Sequence, residues 1–214
     1  TAIIGGTGSG KSTLVKMIPR FYDVTKGQVL VDGVDVKDYP QLALREKIGY
    51  VPQKITLMSG TISQNVKYGK DDATQEEVLQ ALRTAQADDF ISELDDGVDS
   101  AVAQGGTNYS GGQKQRISIA RALVRKPEVY VFDDSFSALD FKTDAKLRRA
   151  LKGEIKDATV FIVAQRVSTV MNADSIIVLD NGRIVGQGRH KELLETCTTY
   201  QEIVKSQLSM EELA

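Results

Sequence analysis

Thr1-Ala2-Ile3-Ile4-Gly5-Gly6-Thr7-Gly8-Ser9-Gly10-Lys11-Ser12-Thr13 runs from an apolar segment straight into a glycine-rich loop. From Gly5 to Ser12 it satisfies G-x-x-x-x-G-K-[ST] at every fixed position. The apolar residues predict a buried strand. Those after Lys11 predict a helix with Leu14, Val15 and Ile18 on one face and Pro19 at its end. Glycines at such a junction let backbone N–H groups turn inward around phosphate oxygens at a helix N-terminus. Gly6, Thr7, Gly8, Ser9, Gly10, Lys11, Ser12 and Thr13 are therefore the expected nucleotide-binding residues. Lys11 supplies a point charge to the outer phosphates, and Ser12 offers a hydroxyl to Mg²⁺.

Outward from the loop, strand and helix signals alternate. Residues 28–31 and 34–36 predict a hairpin around Asp32-Gly33. Ile48-Gly49-Tyr50-Val51 predicts a strand closed by Pro52-Gln53. Thr74-Gln75-Glu76-Glu77 is a capping box opening a helix with Val78, Leu79 and Leu82. From about Asp71 to Arg125 the pattern is helical, without strand signals. Val129-Tyr130-Val131-Phe132 and residues 159–164 are continuous apolar runs suited to strands covered on both faces. An Asn181-Gly182 turn joins 176–179 to 183–185, and the tail after His190 is helical. The expected fold is α/β: a mostly parallel sheet with flanking helices in residues 1–70 and 126–214, and a helical subdomain in 71–125.

Composition narrows the function classes. The 214 residues suffice for a full core, and a net charge of -2 gives no basic surface for nucleic acid. No apolar run approaches the ~18 residues that span a bilayer. Cys197, the single cysteine, reads as a structural thiol near a helix end. A domain does not normally open inside its central strand, so the chain reads as a fragment of a longer polypeptide.

A second motif makes the loop more specific. Tyr109-Ser110-Gly111-Gly112-Gln113 follows it about a hundred residues on, and then a hydrophobic run ends in Asp133-Asp134. Together these resemble the nucleotide-binding domain of ATP-binding cassette (ABC) transporters over nearly the whole chain. The resemblance implies a P-loop NTPase core lacking here the antiparallel strands, and the adenine-stacking aromatic, that precede the phosphate loop in the family. It implies that Asp133, Ser12 and Gln53 hold Mg²⁺. It also implies that Tyr109, Ser110, Gly111, Gly112 and Gln113 face an ATP held by the other subunit, with helix dipole and amides towards its γ-phosphate. Ser137-Ala138-Leu139-Asp140 resembles the loop that crosses the dimer interface. Ser59-Gly60-Thr61-Ile62 with Asn65-Val66, and Ala101-Val102-Ala103-Gln104-Gly105-Gly106, resemble exporters.

The departures matter as much. Where the family normally has a glutamate that polarises the attacking water, this chain has Asp134. One methylene less withdraws the carboxylate by over ~1 Å, a displacement that can cost about 100-fold. Where exporters usually place a histidine on the γ-phosphate, this chain has Gln165, which hydrogen-bonds but carries no proton or charge. His190, its sole histidine, resembles a structural position. Catalytic positions are thus Asp134, Gln165 and Lys11, two of them weakened beside a nearly intact signature segment, 109–113, which departs from the family only in Tyr109 for the usual leucine. The reading is one half of a heterodimeric exporter on the inner face of the cell membrane. Its own site would hydrolyse slowly, and its partner would carry the glutamate. The transmembrane domain would lie in the same polypeptide. A homodimeric exporter and a soluble ABC-type ATPase are the alternatives.

Overall fold

The apolar run before the glycine loop forms β1, Ala2–Gly5, buried on both faces as the sequence predicts. The computed structural model describes residues 1–211, with side chains through Gln207. The other main strands are β2 (Ile48–Val51), β3 (Val129–Asp133), β4 (Thr159–Val163), β5 (Ile176–Asp180) and β6 (Arg183–Gly188). Their order is β6-β5-β1-β4-β3-β2. β1 runs parallel to both neighbours, with Ile3 opposite Val163 on one side and Ile177 on the other. β6 returns antiparallel on β5 through the Asn181-Gly182 turn, both residues at positive φ.

The chain divides into two compact units. The first comprises 1–48, 131–137 and 159–214, and the second 49–130 and 138–158. In the first, Ala2, Ile4, Ile176 and Val178 on β1 and β5 pack with Val170, Leu193, Cys197 and Tyr200. The expected helical tail is present as His190–Thr196 and Thr198–Glu211, and Tyr200 is fully buried. Residues 212–214 of that tail lie outside the described residues.

Three local expectations are corrected here. The helix after the loop is only Lys11–Lys16. Met17 and Ile18 instead bond to Leu14 and Val15, three residues back, because the residue before Pro19 is disfavoured in the α region. The hairpin strands shrink to Leu30–Val31 and Val34–Asp35, although Val36 N–H still donates to Val29 C=O. β4 is not covered on both faces: Thr159 is exposed and the next three residues are half-buried.

The second unit holds the helices Ile62–Lys67, Gln75–Thr84, Gly111–Leu123 and Phe141–Glu154. The Thr74 box forms as expected, and Lys70 holds Glu77 at 2.6 Å. Leu79 is turned to solvent, one helical step off the face that buries Val78 and Leu82. The stretch 71–125 is not free of strand: Ala101–Val102 pairs antiparallel with Gly60–Thr61. That unit takes in 71–125 and also reaches residues 49–70, 126–130 and 138–158.

Candidate active site

Five of the candidate side chains meet in the first unit: Lys11, Ser12, Asp133, Asp134 and Gln165. The loop leaves β1 at Gly5, where a Cβ would collide with the Leu179 carbonyl on β5, so only glycine fits. Gly8 and Gly10 take φ of 80° and 99°, and the Ser9 amide donates to Gly6 C=O. Lys11 folds back and donates through Nζ to the carbonyls of Gly5 and Gly6, both at 2.8 Å. Burial pushes its ammonium below the ordinary lysine value, while Asp134 and then Asp133 oppose that shift. Gly6, Thr7, Gly8 and Thr13 face solvent, and Gly10 and Ser12 are half-buried.

Two observations test whether this loop fits a phosphate. The Ser9 hydroxyl is buried without a hydrogen-bond partner, leaving a donor to be satisfied. A Cβ at Gly6 or Gly8 would meet only open space, so the backbone there is bare to an incoming group. Both suit an anion clasped by main chain.

β3 delivers the acids. Asp133, 1% exposed, accepts a 2.6 Å hydrogen bond from the Ser12 hydroxyl. Among the described residues no cluster of three or more His, Cys, Asp or Glu gathers. Magnesium needs none, since it takes one or two carboxylates and completes its shell with water and phosphate oxygens. The Ser12–Asp133 oxygens fit that habit. Asp134 turns the chain with φ of 50°, and its amide donates to Val163 C=O at 3.0 Å. Its carboxylate accepts from Gln165 Nε2 at 3.0 Å, so the two residues that depart from the expected catalytic pair bind each other. Ser137 Oγ donates to the Asp134 carbonyl.

The remaining candidates belong to the second unit, except Ser137. Gln53 is exposed in the loop after β2. Ser110 is the N-cap of the helix Gly111–Leu123. Its hydroxyl accepts from Gln113 N–H and Gln113 Oε1 accepts from Ser110 N–H, a capping box readable in Ser110-x-x-Gln113. Gly111 is exposed, and a Cβ on Gly112 would press on the Ala138 carbonyl at 3.2 Å. Tyr109 is buried, its hydroxyl on Ala101 C=O and its ring edge-on to Phe90. Ala138 is exposed, Leu139 buried, and Asp140 caps the helix Phe141–Glu154.

The sequence reading named Asn65 without giving it a role and missed Gln207 altogether. Asn65, fully buried, bonds to Met58 and Thr61 main chain and to Arg121 of the signature helix. Gln207 bonds to the main chain at 165 and 167. His190 pairs with the Tyr200 hydroxyl at 2.8 Å.

Comparison with known proteins follows the same lines. A family model described as "ABC transporter" matches residues 1–137. The chain is 53% identical, over 97% of its length, to an uncharacterised ABC transporter ATP-binding protein of Mycobacterium tuberculosis. It is 44% identical, over 94%, to a putative multidrug export ATP-binding/permease protein of Bacillus subtilis. A solved bacterial Atm1-family ABC exporter with ATP bound matches 96% of the chain at a TM-score of 0.93 and 40% identity. The chain spans 36%, 35% and 36% of these proteins respectively. No described helix is long and apolar enough to cross a membrane.

Proposed function

The chain belongs to the ABC transporter family, and on that footing we propose that it is the ATP-binding engine of a heterodimeric exporter, with a hydrolysis-impaired site of its own. Its ATPase fold and exporter kinship are plain from the relatives. The degenerate role is our reading. The observation that carries it is the 3.0 Å bond from Gln165 to Asp134. A short carboxylate already engaged by a neutral amide is a poor general base, and 10²–10⁴-fold rests on that group.

In this reading the loop amides and Lys11 bind the phosphates of ATP, and Ser9 donates the hydroxyl it leaves unpaired. Ser12 and Asp133 are the residues that would hold magnesium, which neutralises charge on the phosphate oxygens when bound. Ser110, Gly111, Gly112 and Gln113 serve a partner's ATP through a capped helix N-terminus. The partner supplies the glutamate, and the membrane-spanning part belongs to the longer polypeptide, with this domain on the cytoplasmic side. A homodimeric exporter that works with Asp134 and Gln165 is the competing reading.

ATP turnover by the full-length transporter carrying Asp134→Asn separates them. Near-normal turnover is expected, because hydrolysis proceeds at the partner's site. Loss of turnover with ATP still bound would make Asp134 a working base and favour the homodimer.

A further inference from the structure

Gln165 and Arg166 lie in a turn that no sheet pairing supports. β4 stops at Val163, and the helix that follows, Val167–Val170, is a single turn with no side-chain cap at Arg166. A helix that short does not hold itself. The core holds it through Val170 and Val167, and the C-terminal helix Thr198–Glu211 adds a polar tie. Gln207 Nε2 donates to Gln165 C=O at 2.7 Å, and Gln207 Oε1 accepts from Val167 N–H at 2.7 Å. One amide thus grips the main chain on both sides of Arg166. The two side chains launched from that grip reach the site: Gln165 to the Asp134 carboxylate, and Arg166 to Ser137 C=O at 3.4 Å. The helix carrying Gln207 is itself anchored, since Tyr200 is in the core and Ile203 and Val204 pack against it.

We infer that Gln207 is a positioning residue: it sets the main chain from which Gln165 meets Asp134, so that the C-terminal helix governs the state of this nucleotide site. A primary amide offers a donor and an acceptor side by side on one rigid plane. Glutamate would keep the acceptor for Val167 and set a carboxylate against the Gln165 carbonyl. Leucine would keep the bulk and lose both bonds. This rests on the reading of Asp134 and Gln165 as a nucleotide site. It does not depend on how fast that site hydrolyses.

The test uses the full-length transporter carrying Gln207→Leu, Gln207→Glu or, as a control on the same helix, the exposed Glu202→Ala. Deuterium uptake is followed across 164–170, together with release of a fluorescent ATP analogue from this site. Gln207→Leu should speed exchange at Val167 about ten-fold and analogue release several-fold. Gln207→Glu should speed release alone, and Glu202→Ala should change neither. In a Gln165→Ala background Gln207→Leu should add nothing to release, because the two act through one contact. Unchanged exchange in Gln207→Leu would overturn the proposal, as would an equal effect on release with and without Gln165. A transporter dead in Asp134→Asn would sink the impaired-site reading instead, leaving these two measurements to speak for Gln207.

Discussion

At φ of 50° Asp134 occupies the left-handed region, where a Cβ crowds the next carbonyl at a cost of roughly 1–2 kcal/mol for most residues. Aspartate tolerates the region better than most. The turn is needed: it ends β3 on Asp133, sends the Asp134 amide to Val163, and leaves the carboxylate beside Gln165. Substitutions here therefore change stability before they change chemistry. Asp134→Ala should lower the thermal midpoint of the purified transporter below that of Asp134→Gly, by the equivalent of about 1 kcal/mol. Asp134→Asn should stay close to the native chain. A midpoint for alanine at or above that of glycine would show that the left-handed turn is not maintained. The same reasoning makes asparagine the proper probe of catalysis, because it deletes the charge while keeping the backbone.

The element that most clearly serves two purposes is the helix Gly111–Leu123. Ser110 closes its N-terminus by accepting from Gln113, and such a cap contributes about 1 kcal/mol. The proposed role adds a second demand, since the same amides and dipole must receive an anion from a partner. The two demands separate by charge. Ser110→Ala should cost about 1 kcal/mol of stability and weaken partner turnover. Ser110→Asp should keep the cap, aspartate being as good there as serine, yet repel the partner's phosphate. Thermal unfolding and ATP turnover measured on both variants check this. Full turnover in Ser110→Asp would remove the segment from the partner's site. Farther along the helix, Arg121 bonds to Asn65, which ties the loop at Met58 and Thr61 to it. Burial lowers the Arg121 pKa, and its hydrogen-bond partners are main-chain and amide oxygens, with the Tyr68 ring centroid 6.0 Å away, so it acts as a structural tie.

Across the whole molecule, legibility followed sequence distance. The glycine turn after β1, the acids at the end of β3 and the Thr74 box were readable because their geometry is set by neighbours within a few residues. The unpaired Ser9 hydroxyl and the bond between Gln165 and Asp134 were not, because the first depends on the chain beside β5 and the second on how β3 and β4 are placed. Gln207 lies 42 residues from Gln165, and Arg121 lies 56 from Asn65. No periodicity in a helix announces an amide pointed at a distant turn. What the sequence did suggest at this scale is asymmetry, with residues 110–113 kept beside a shortened acid at Asp134 and an uncharged Gln165. If that asymmetry reflects two unlike subunits, the full-length chain purified alone should release phosphate slowly. Asp134→Glu combined with Gln165→His should then raise its rate, by about ten- to a hundred-fold given what a misplaced base can cost. Co-expression with a glutamate-bearing partner should raise turnover without either substitution. A native chain that alone hydrolyses as fast as the double variant would mean that Asp134 and Gln165 are a working pair, and that two identical copies suffice.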